Sequence, residues 1–483
     1  MTLCRTRDGT YGQGMKLRRR ARTGDRGPSA AWVWWDAVRG RRQGPGAIER
    51  RQKARLAELV AYARTHSAYY RELYRGLPDH IEDVSVLPVT NKKELMAHFD
   101  DVATDPAVTL AGVQEFVADP GRIGHRFTGK YLVATTAGTT GTRGIFVLDD
   151  RYWAVTSGLM AILGAKWLSW RDIVRMIRRG ARFAGLVATG GHFLSIAAST
   201  REKQEKPRRH RSLGVFSVHT PLPLLVAQLN SFGPALLGGY ASVLRMLGTE
   251  QQAGRLRVHP VLVLSTAEGL PPDERDRLET AFGAVVREVY GCTESSYSAY
   301  GCGQGWLHLL QDWVIVEPVD AGHRPVPPGT VSHTVLITNL ANRVQPIIRY
   351  DVGDRVLVRP DPCPCGDPAP AIRVQGRASD VLTFPAADGR GTVTVPPLAL
   401  GTIVDRTPGV VLFQVVQTAP ASLSVRLRPD PDADADRVRR MVLEGLTNLL
   451  AGLGLAHVTV EAAAEPPEQT TGGKYRTVIP LHA

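Results

Sequence analysis

A seven-residue stretch rich in threonine and glycine is the part of this sequence that points most directly to chemistry. The stretch is Thr135-Thr-Ala-Gly-Thr-Thr-Gly141, and it lies between the apolar runs Tyr131-Leu-Val-Ala134 and Ile145-Phe-Val-Leu148. This pattern predicts two short strands joined by a hairpin loop. Because glycine lets the backbone approach a ligand and four threonines add hydroxyl donors, the loop suits a polyphosphate. No Gly-Lys-Ser/Thr follows, so it is not a Walker loop, and an ordinary Gly/Thr hairpin is the alternative.

Two further polar segments follow predicted strands. Ala267-Glu-Gly269 comes after the apolar run 261–265, and Tyr290-Gly-Cys-Thr-Glu294 comes after the run 285–289. Apolar runs alternate with helical patterns over residues 152–265, which predicts a parallel sheet and the α/β class. Ligands of such sheets bind beyond the carboxyl ends of the strands. Both segments are therefore expected to lie at a ligand site.

The composition changes after Gly376 to short strands and proline-rich turns. Residues 410–416 and 422–427 are predicted antiparallel strands, and residues 437–450 a helix. This is typical of a separate α+β domain of roughly a hundred residues. The predicted units are a disordered basic arm over 1–30, a nucleotide- and acid-binding domain over 31–376 and a mobile lid over 377–483.

The positive charge of the chain is concentrated near its N-terminus. The net charge is +13, and residues 1–55 contain fifteen Lys and Arg but four Asp and Glu. That segment accounts for +11, which leaves +2 for the other 428 residues. A basic tail is typical of a disordered arm, so nucleic acid is disfavoured as a partner. A nucleic-acid-binding protein that uses this arm remains the alternative of a different class.

Three features favour a cytoplasmic protein. No apolar run approaches the ~20 residues that a membrane helix needs. The N-terminus lacks the apolar core of a secretory signal. The five cysteines are an odd number without a framework pattern, which fits a reducing compartment.

Five motifs in a fixed order resemble those of the adenylate-forming acyl-activating superfamily. They are the Thr/Gly loop, Tyr290-Gly-Cys-Thr-Glu294, Arg349-Tyr-Asp-Val-Gly-Asp354, Gly376-Arg-Ala-Ser-Asp380 and Gly472-Gly-Lys474. Within that superfamily the chain is most similar to the phenylacetate–CoA ligase family and its deazaflavin-coenzyme-adenylating relatives, over about residues 56–479. The resemblance implies an acyl-CoA synthetase-like α/β fold, in which a large N-terminal domain has mixed and parallel sheets flanked by helices and a small α+β lid follows.

The resemblance also implies which residues bind ATP. Tyr290 would stack on the adenine opposite residues 267–269, Asp354 would accept hydrogen bonds from the ribose, and Arg377 would support the sugar or phosphate. The full set of implied nucleotide contacts is Thr135, Thr136, Gly138, Thr139, Thr140, Gly141, Ala267, Glu268, Gly269, Tyr290, Thr293, Asp354 and Arg377. The loop departs from the family pattern, since Ala137 stands where the family usually has serine, and Arg143 and Gly144 stand where it often has proline and a polar residue.

The same resemblance assigns the catalytic and hinge roles. Glu294 would bind Mg²⁺, and Lys474 would bridge the carboxylate and the α-phosphate oxygens. Asp380 would be the hinge acid, although Ser379 stands where the family has a second acid. Tyr240 and His192 are candidates for the acid pocket, and packing in the core is the alternative for each.

Three cysteines and one histidine form a candidate structural zinc site. Cys302 precedes His308 by six positions, and Cys363-Pro-Cys365 is a close thiol pair. One histidine with three cysteines is a complete tetrahedral zinc set without an open position. A similar Cys, Gly-x-His and Cys-Pro-Cys-Gly arrangement recurs in the phenylacetate–CoA ligase family. Four unrelated residues are the alternative, because free buried thiols are common.

Together the resemblance and the motifs predict an ATP-dependent acyl-activating enzyme. It would convert a carboxylic acid, with an aromatic acid favoured, to an acyl-adenylate and then pass the acyl group to coenzyme A. The alternatives within enzymes are transfer to an amine, or transfer of AMP to a phenolic hydroxyl. The expected cofactors are ATP, Mg²⁺, CoA and a structural Zn²⁺. Membrane partners are not expected, and a homodimer stays open.

Overall fold

We describe a computed structural model of the chain, which covers residues 28–136, 144–206, 209–377, 380–395, 397–405, 407–470 and 475–481. The predicted arm lies almost entirely outside these residues. So do Ala137, Gly138, Thr139, Thr140, Gly141, Arg143, Ser379 and Lys474. Within the described part, no helix combines the length and apolar character needed to cross a membrane.

A helical segment opens the described part of the chain. Its elements are α1 (Ala30–Arg42), α2 (Pro45–His66), α3 (Ala68–Leu73), β1 (Thr90–Asn91), α4 (Lys92–Ala97), α5 (Phe99–Val102) and α6 (Leu110–Ala118). The sequence predicts one helix from Glu49 to Leu73, and the structure divides it at Ser67. The Ser67 backbone is extended and its side chain accepts the Tyr70 N–H, so it caps α3 after α2 has ended.

The Thr/Gly stretch lies in the predicted hairpin. Strands β2 (Leu132–Thr135) and β3 (Ile145–Leu148) are antiparallel, and Thr135 is paired with Ile145. All eight strand residues are buried. Two helices follow, α7 (Asp150–Trp167) and α8 (Trp170–Arg178).

The largest sheet has nine strands in the order β14-β15-β10-β9-β8-β7-β6-β4-β5. The strands are β4 (Phe183–Val187), β5 (Leu213–Ser217), β6 (Leu236–Tyr240), β7 (Leu262–Thr266), β8 (Val285–Tyr290), β9 (Ala299–Gly301), β10 (Leu307–Leu309), β14 (Asp354–Val358) and β15 (Ala371–Arg377). Strands β5, β4, β6, β7 and β8 are parallel neighbours, and β9, β10, β15 and β14 continue antiparallel. The helices between the parallel strands are α9 (Leu194–Glu205), α10 (Leu222–Phe232), α11 (Ala241–Gln252) and α12 (Pro272–Phe282). This alternation is the one that the sequence predicts.

A second sheet packs with the N-terminal helices. Its order is β1-β13-β12-β11, with β11 (Val314–Val319), β12 (Thr334–Asn339) and β13 (Ile347–Asp351). All six residues of β12 are buried. One hydrophobic core joins this sheet, the β2–β3 hairpin and the helices α2 to α7. The parallel strands share a second core with α10, α11 and α12.

The C-terminal segment has its own sheets and core. Strands β16 (Leu382–Pro385) and β17 (Thr392–Val395) form a hairpin, and a four-stranded sheet has the order β20-β19-β18-β21. Its elements are α13 (Pro397–Asp405), β18 (Val410–Ala419), β19 (Ser422–Pro429), α14 (Ala435–Gly452), β20 (Thr459–Ala462) and β21 (Val478–Ile479). A core of fifteen buried residues lies within this segment. The mixed α/β fold is confirmed, while the domain boundaries and the mobility of the lid stay predictions.

Candidate functional site

Two predicted nucleotide segments lie side by side at one edge of the large sheet. Strands β7 and β8 are parallel neighbours, with Thr266 beside Val289, so the segments that follow them leave the sheet together. Ala267 has a φ of +69°, a left-handed conformation that is uncommon for a residue with a side chain. After β8 the chain folds back tightly, because a Cβ at Gly291 would lie 2.1 Å from the Ser296 carbonyl oxygen. Only glycine fits this turn, which holds the half-buried Thr293.

A half-buried tyrosine, an aspartate and an arginine meet at this edge. The Tyr290 hydroxyl donates to Asp354 Oδ2 at 2.8 Å, and Arg377 Nε donates to Asp354 Oδ1 at 3.0 Å. Register places Asp354 opposite Arg377 on the paired strands β14 and β15. Burial alone would lower the pKa of Arg377, but the carboxylates around it, with Asp354 first, raise that pKa. These three predicted nucleotide residues therefore form one hydrogen-bonded set.

Glu294 is buried beside that set. The Tyr350 hydroxyl donates to Glu294 Oε1 at 2.7 Å, and the Asn339 side chain donates to the Glu294 backbone carbonyl at 2.8 Å. Lys92, at the start of α4, is also part of this environment. Burial lowers the pKa of Lys92, and the negative charge of Glu294 opposes that shift. The site thus places the Glu294 carboxylate, which Tyr350 orients by a hydrogen bond, near the partly desolvated ammonium group of Lys92.

The neck of the Thr/Gly hairpin is closed by its own polar groups. The Thr136 N–H donates to the Gly144 carbonyl at 2.9 Å, and the Gly144 N–H donates to Thr136 Oγ1 at 2.8 Å. The Thr135 N–H donates to the His192 carbonyl at 2.7 Å, which ties the neck to the segment after β4. Thr135 is buried, while Thr136 is half-buried. The phosphate roles predicted for the tip of this loop fall on residues outside the described part.

Both pocket candidates are buried. His192 Nε2 lies 3.2 Å from the Asp119 carbonyl oxygen, and its ring lies 5.5 Å from that of Phe116. Tyr240 ends β6, and burial raises its pKa to about 12. His192 follows β4 and Tyr240 ends β6, so both lie at the carboxyl ends of parallel strands. Their contact with an acid substrate stays a prediction.

Glu268 connects this edge to the C-terminal segment. Its Oε2 accepts the Ser242 N–H at 2.8 Å, and its Oε1 accepts the Tyr475 N–H at 2.9 Å. Tyr475 directly follows Lys474 in the chain. The structure therefore brings the C-terminal segment to the strand ends at the residue after the predicted catalytic lysine.

The predicted hinge acid also contacts that part of the chain. Asp380 Oδ1 accepts a hydrogen bond from Arg476 at 2.6 Å. The segments that precede β16 and β21 are thereby joined by a salt bridge whose two side chains are mostly buried. The structure places Asp380 in a contact and does not test whether the chain pivots there.

Cys302, His308, Cys363 and Cys365, which we call the Cys₃His cluster, are together in the structure. Their ligand atoms all lie within 4.8 Å of one another. Cys302 Sγ is 3.8 Å from Cys363 Sγ, and Cys365 Sγ is 3.2 Å from His308 Nε2. Two thiolates on one tetrahedral zinc, each at about 2.3 Å, are separated by about 3.8 Å. The donor types and spacing therefore fit a closed zinc site.

The surroundings of the Cys₃His cluster also suit a metal. His308 Nδ1–H donates to the Ala369 carbonyl at 2.7 Å, which leaves Nε2 directed to the cluster. The Asp367 N–H donates to Cys365 Sγ at 3.4 Å. Burial opposes ionisation of Cys302, yet hydrogen bonds, with His308 first, lower its pKa to about 6. One of the thiolates that zinc binding requires is thus available near neutral pH, whereas burial raises the pKa of Cys365 to about 11.

The sequence interpretation gave no role to Lys92, Tyr350 or Asn339. Tyr350 lies within the motif Arg349-Tyr-Asp-Val-Gly-Asp354, which was singled out for Asp354. Successive side chains of a strand point to opposite faces, so Tyr350 and Asp351 of β13 do so, and this alternation was a usable signal for Tyr350. Lys92 follows the two-residue strand β1, which pairs with β13, so Thr90 lies beside Tyr350. Only this long-range parallel pairing brings Lys92 to Glu294, and no local pattern encodes it.

Comparison with known proteins shows what the fold resembles. The architecture is that of the acyl-CoA synthetase-like fold. The chain is similar to 2-hydroxyisobutyryl-CoA ligase in the postadenylation state in complex with R3-HIB-AMP, with a TM-score of 0.59, 20% identity and coverage of 92% of this chain and 90% of that one. An open conformation of the same ligase in complex with 2-HIB-AMP and CoA matches with a TM-score of 0.52, 20% identity and coverage of 83% and 90%.

Sequence comparison reaches less far. No family model matches the chain. Protein CapK of Staphylococcus aureus is 21% identical over 313 residues, which are 63% of this chain. The match spans 62% of CapK, less than two thirds of its length.

Proposed function

We propose that this protein is an ATP-dependent acyl-activating enzyme that forms an acyl-adenylate and transfers the acyl group to CoA. The observation that carries the proposal is the hydrogen-bonded set of Tyr290, Asp354 and Arg377 at the strand ends, with the buried Glu294 beside it. It occurs on an acyl-CoA synthetase-like fold and beside a Thr/Gly hairpin. The structural neighbours named above are CoA ligases with acyl-AMP ligands, which supports the same chemistry here.

The first step needs a nucleotide that is held and charge that is compensated. A carboxylate oxygen of the acid attacks the α-phosphorus of ATP, the bond to the β-phosphate oxygen breaks, and pyrophosphate leaves. Asp354 would accept the ribose hydroxyls, since Arg377 already orients its carboxylate. Tyr290 would stack on the adenine. Lys474 would compensate the charge that develops on the α-phosphate oxygens.

Glu294 fits a magnesium site. Mg²⁺ in nucleotide enzymes uses one or two carboxylates together with phosphate oxygens and water. Glu294 is a buried carboxylate that Tyr350 orients at one oxygen. Bound there, the ion would offset the phosphate charge during pyrophosphate departure.

We assign the Cys₃His cluster to a structural zinc ion. Its four donors leave no position for substrate, so it would not take part in catalysis. It would join the β9–β10 hairpin to the loop between β14 and β15. Because Asp354 and Arg377 lie on β14 and β15, the ion would stabilise the strands that carry the ribose contacts.

The phenylacetate–CoA ligase family, with an aromatic acid and CoA as the acceptor, is the subtype that the sequence motifs favour. Transfer to an amine, or of AMP to a phenolic hydroxyl, would use the same first half of the site. A panel of aromatic and aliphatic carboxylic acids should therefore be tested for pyrophosphate release with and without CoA. Acyl-CoA and AMP in equal amounts for one acid supports the proposal. Pyrophosphate release without thioester formation would point to another acceptor.

Asp354 gives the sharpest test of the nucleotide site. A hydrogen bond to a charged group contributes about 1.5–3 kcal/mol, so Asp354→Ala should raise the KM for ATP roughly 10- to 100-fold. The matched control is Asp276→Ala, at an exposed position on α12. Equal activity of the two variants would contradict the assigned ribose contact.

A further inference from the structure

The surface of α1 exposes an unusual set of aromatic side chains. Trp32, Trp34 and Trp35 are each about half exposed. Val33 and Ala37 are buried on the opposite face, and Val33 packs against Gly158 of α7. At 3.6 residues per turn, the three tryptophans surround the outward side of the helix. These rings therefore face solvent, although α1 is firmly packed.

Helix α8 exposes a second apolar strip. Trp170 and Ile177, seven residues apart on one face, are 70% and 63% exposed. Ile173 and Met176 face the core. Arg171, Arg175 and Arg178 are exposed beside the strip. The helix thus has a buried face, an exposed apolar strip and an adjoining basic strip.

Both helices adjoin α7, one by packing against it and the other by following it in the chain. Helix α1 packs along α7, and α8 begins three residues after α7 ends. The acidic groups on both are already paired: Asp36 with Arg51 and Arg55, and Asp172 with Ser169 and Arg175. The charge that remains toward solvent is therefore positive.

The sequence motifs predict no membrane partner, but the exposed faces of these helices favour one. We propose that the exposed faces of α1 and α8, here called the Trp–Arg surface, bind peripherally to an anionic lipid bilayer. Tryptophan is enriched at the level of the lipid headgroups, where its amphipathic ring suits the boundary. Arginines beside exposed apolar side chains are the pattern of helices that lie in the plane of a membrane surface.

The charge distribution supports this partner over a protein or a second copy of the chain. Residues 1–27, which precede α1, contain eight Lys and Arg and two Asp. A basic segment beside an interfacial helix is attracted by anionic lipid within a Debye length. A second copy would present the same positive charge and be repelled. The exposed tryptophans and Ile177 would anchor the protein in the bilayer, and the basic groups would select anionic lipid.

Vesicle binding of the full-length chain tests the proposal. Vesicles of phosphatidylcholine and phosphatidylglycerol in equal amounts should bind the protein in a flotation assay, and phosphatidylcholine alone should bind it at least about tenfold less. Added salt should weaken the binding. The double variants W170S/I177S and W32S/W35S should each reduce affinity for anionic vesicles about tenfold or more. The matched control L224S removes an exposed leucine from α10 and should leave binding unchanged.

Three outcomes would overturn the proposal. The first is equal binding to neutral and anionic vesicles. The second is unaltered binding in both double variants, which would assign the interaction to the basic arm alone. The third is absence of vesicle binding. In that case concentration-dependent dimerisation, or nucleic-acid binding, that the double variants abolish would identify the partner of the Trp–Arg surface instead. Pyrophosphate release in solution should stay the same in all variants, which separates this result from that of the proposed activity.

Discussion

Two contacts join distant parts of this chain near the nucleotide site, and they differ in kind. The Cys₃His cluster gathers four side chains from the β9–β10 hairpin and from the loop between β14 and β15 of one sheet. The contact at Glu268 links the large sheet to the C-terminal segment through the backbone N–H of Tyr475, while the other Glu268 oxygen accepts the Ser242 N–H of α11. Its surroundings are mostly polar, such as the pair Arg245–Asp405 at 2.8 Å. Leu412 of β18 is buried within the core of the parallel strands, and Val411 and Tyr475 pack against that core partly buried.

The difference suggests two functions for long-range contacts. Three cysteines and one histidine that surround a single point fit a metal-linked contact that persists throughout catalysis. A few hydrogen bonds and a few apolar side chains resemble a transient interface between domains, which can open and close. We therefore expect changes in the cluster to affect stability, and changes around the Glu268 contact to affect individual half-reactions.

The largest effect is expected at Lys474, which directly precedes Tyr475 in the sequence. Loss of a positive group that stabilises developing charge costs roughly 3–4 kcal/mol. Lys474→Ala should therefore slow adenylate formation about a hundred- to a thousandfold, measured by pyrophosphate release, with the melting temperature unchanged. A preformed acyl-adenylate should still react with CoA. Unchanged adenylation, relative to the exposed control Lys206→Ala, would refute the assignment.

Variants of Asp380 test whether the contact between the large sheet and the C-terminal segment is made and broken during the reaction. Proline fixes φ, so Asp380→Pro should hold the C-terminal segment in one orientation and abolish one half-reaction while the other survives. Asp380→Asn keeps the backbone and removes the charge of the pair with Arg476, and it should change either half-reaction by only about threefold. Equal loss of both half-reactions in a folded Pro variant would argue against a hinge.

Glu268 should give a smaller effect that is confined to the first half-reaction. Its carboxylate accepts one N–H from the C-terminal segment, that of Tyr475, and a hydrogen bond to a charged group contributes about 1.5–3 kcal/mol. Glu268→Ala should slow adenylate formation roughly 10- to 100-fold and leave thioester formation from preformed adenylate within about threefold. Glu279→Ala on α12 is a control that removes a carboxylate remote from the C-terminal segment. Equal slowing of both half-reactions would show that Glu268 acts on the nucleotide site as a whole.

Much of the fold was predictable because its signals are local. The apolar runs before Ala267 and Tyr290 identify β7 and β8, and their alternation with helices indicates the parallel sheet. The division at Ser67 was missed because the apolar spacing continues across it, and a side-chain cap outweighs that spacing. The two-residue strand β1 is too short to leave a pattern.

The site was predictable where a motif carries its own geometry. Tyr290, Asp354 and Arg377 were each placed at the nucleotide, and the structure joins them by hydrogen bonds. Glu268 was assigned to the adenine, and its contact with Tyr475 was not foreseen. That contact spans 207 positions and depends on how the C-terminal segment packs on the sheet. The position of Lys92 near Glu294 was not predicted because it too depends on a long-range contact, the pairing of β1 with β13.

The smallest effect on chemistry is expected from the Cys₃His cluster. Cys363→Ser removes one of four donors, so the zinc content should fall from about one ion per chain toward zero by elemental analysis. The loops around β10 and β15 would lose their cross-link, and the melting temperature should fall by roughly 5–10 °C. Adenylation at ambient temperature should stay within about threefold, because Cys363 lies outside the hydrogen-bonded set around Asp354. Cys4→Ser, which changes a cysteine outside the cluster, is the control. Zinc-free wild-type protein of undiminished stability would rule out the metal, and a large loss of adenylation at full zinc content would show that the cluster participates in the chemistry.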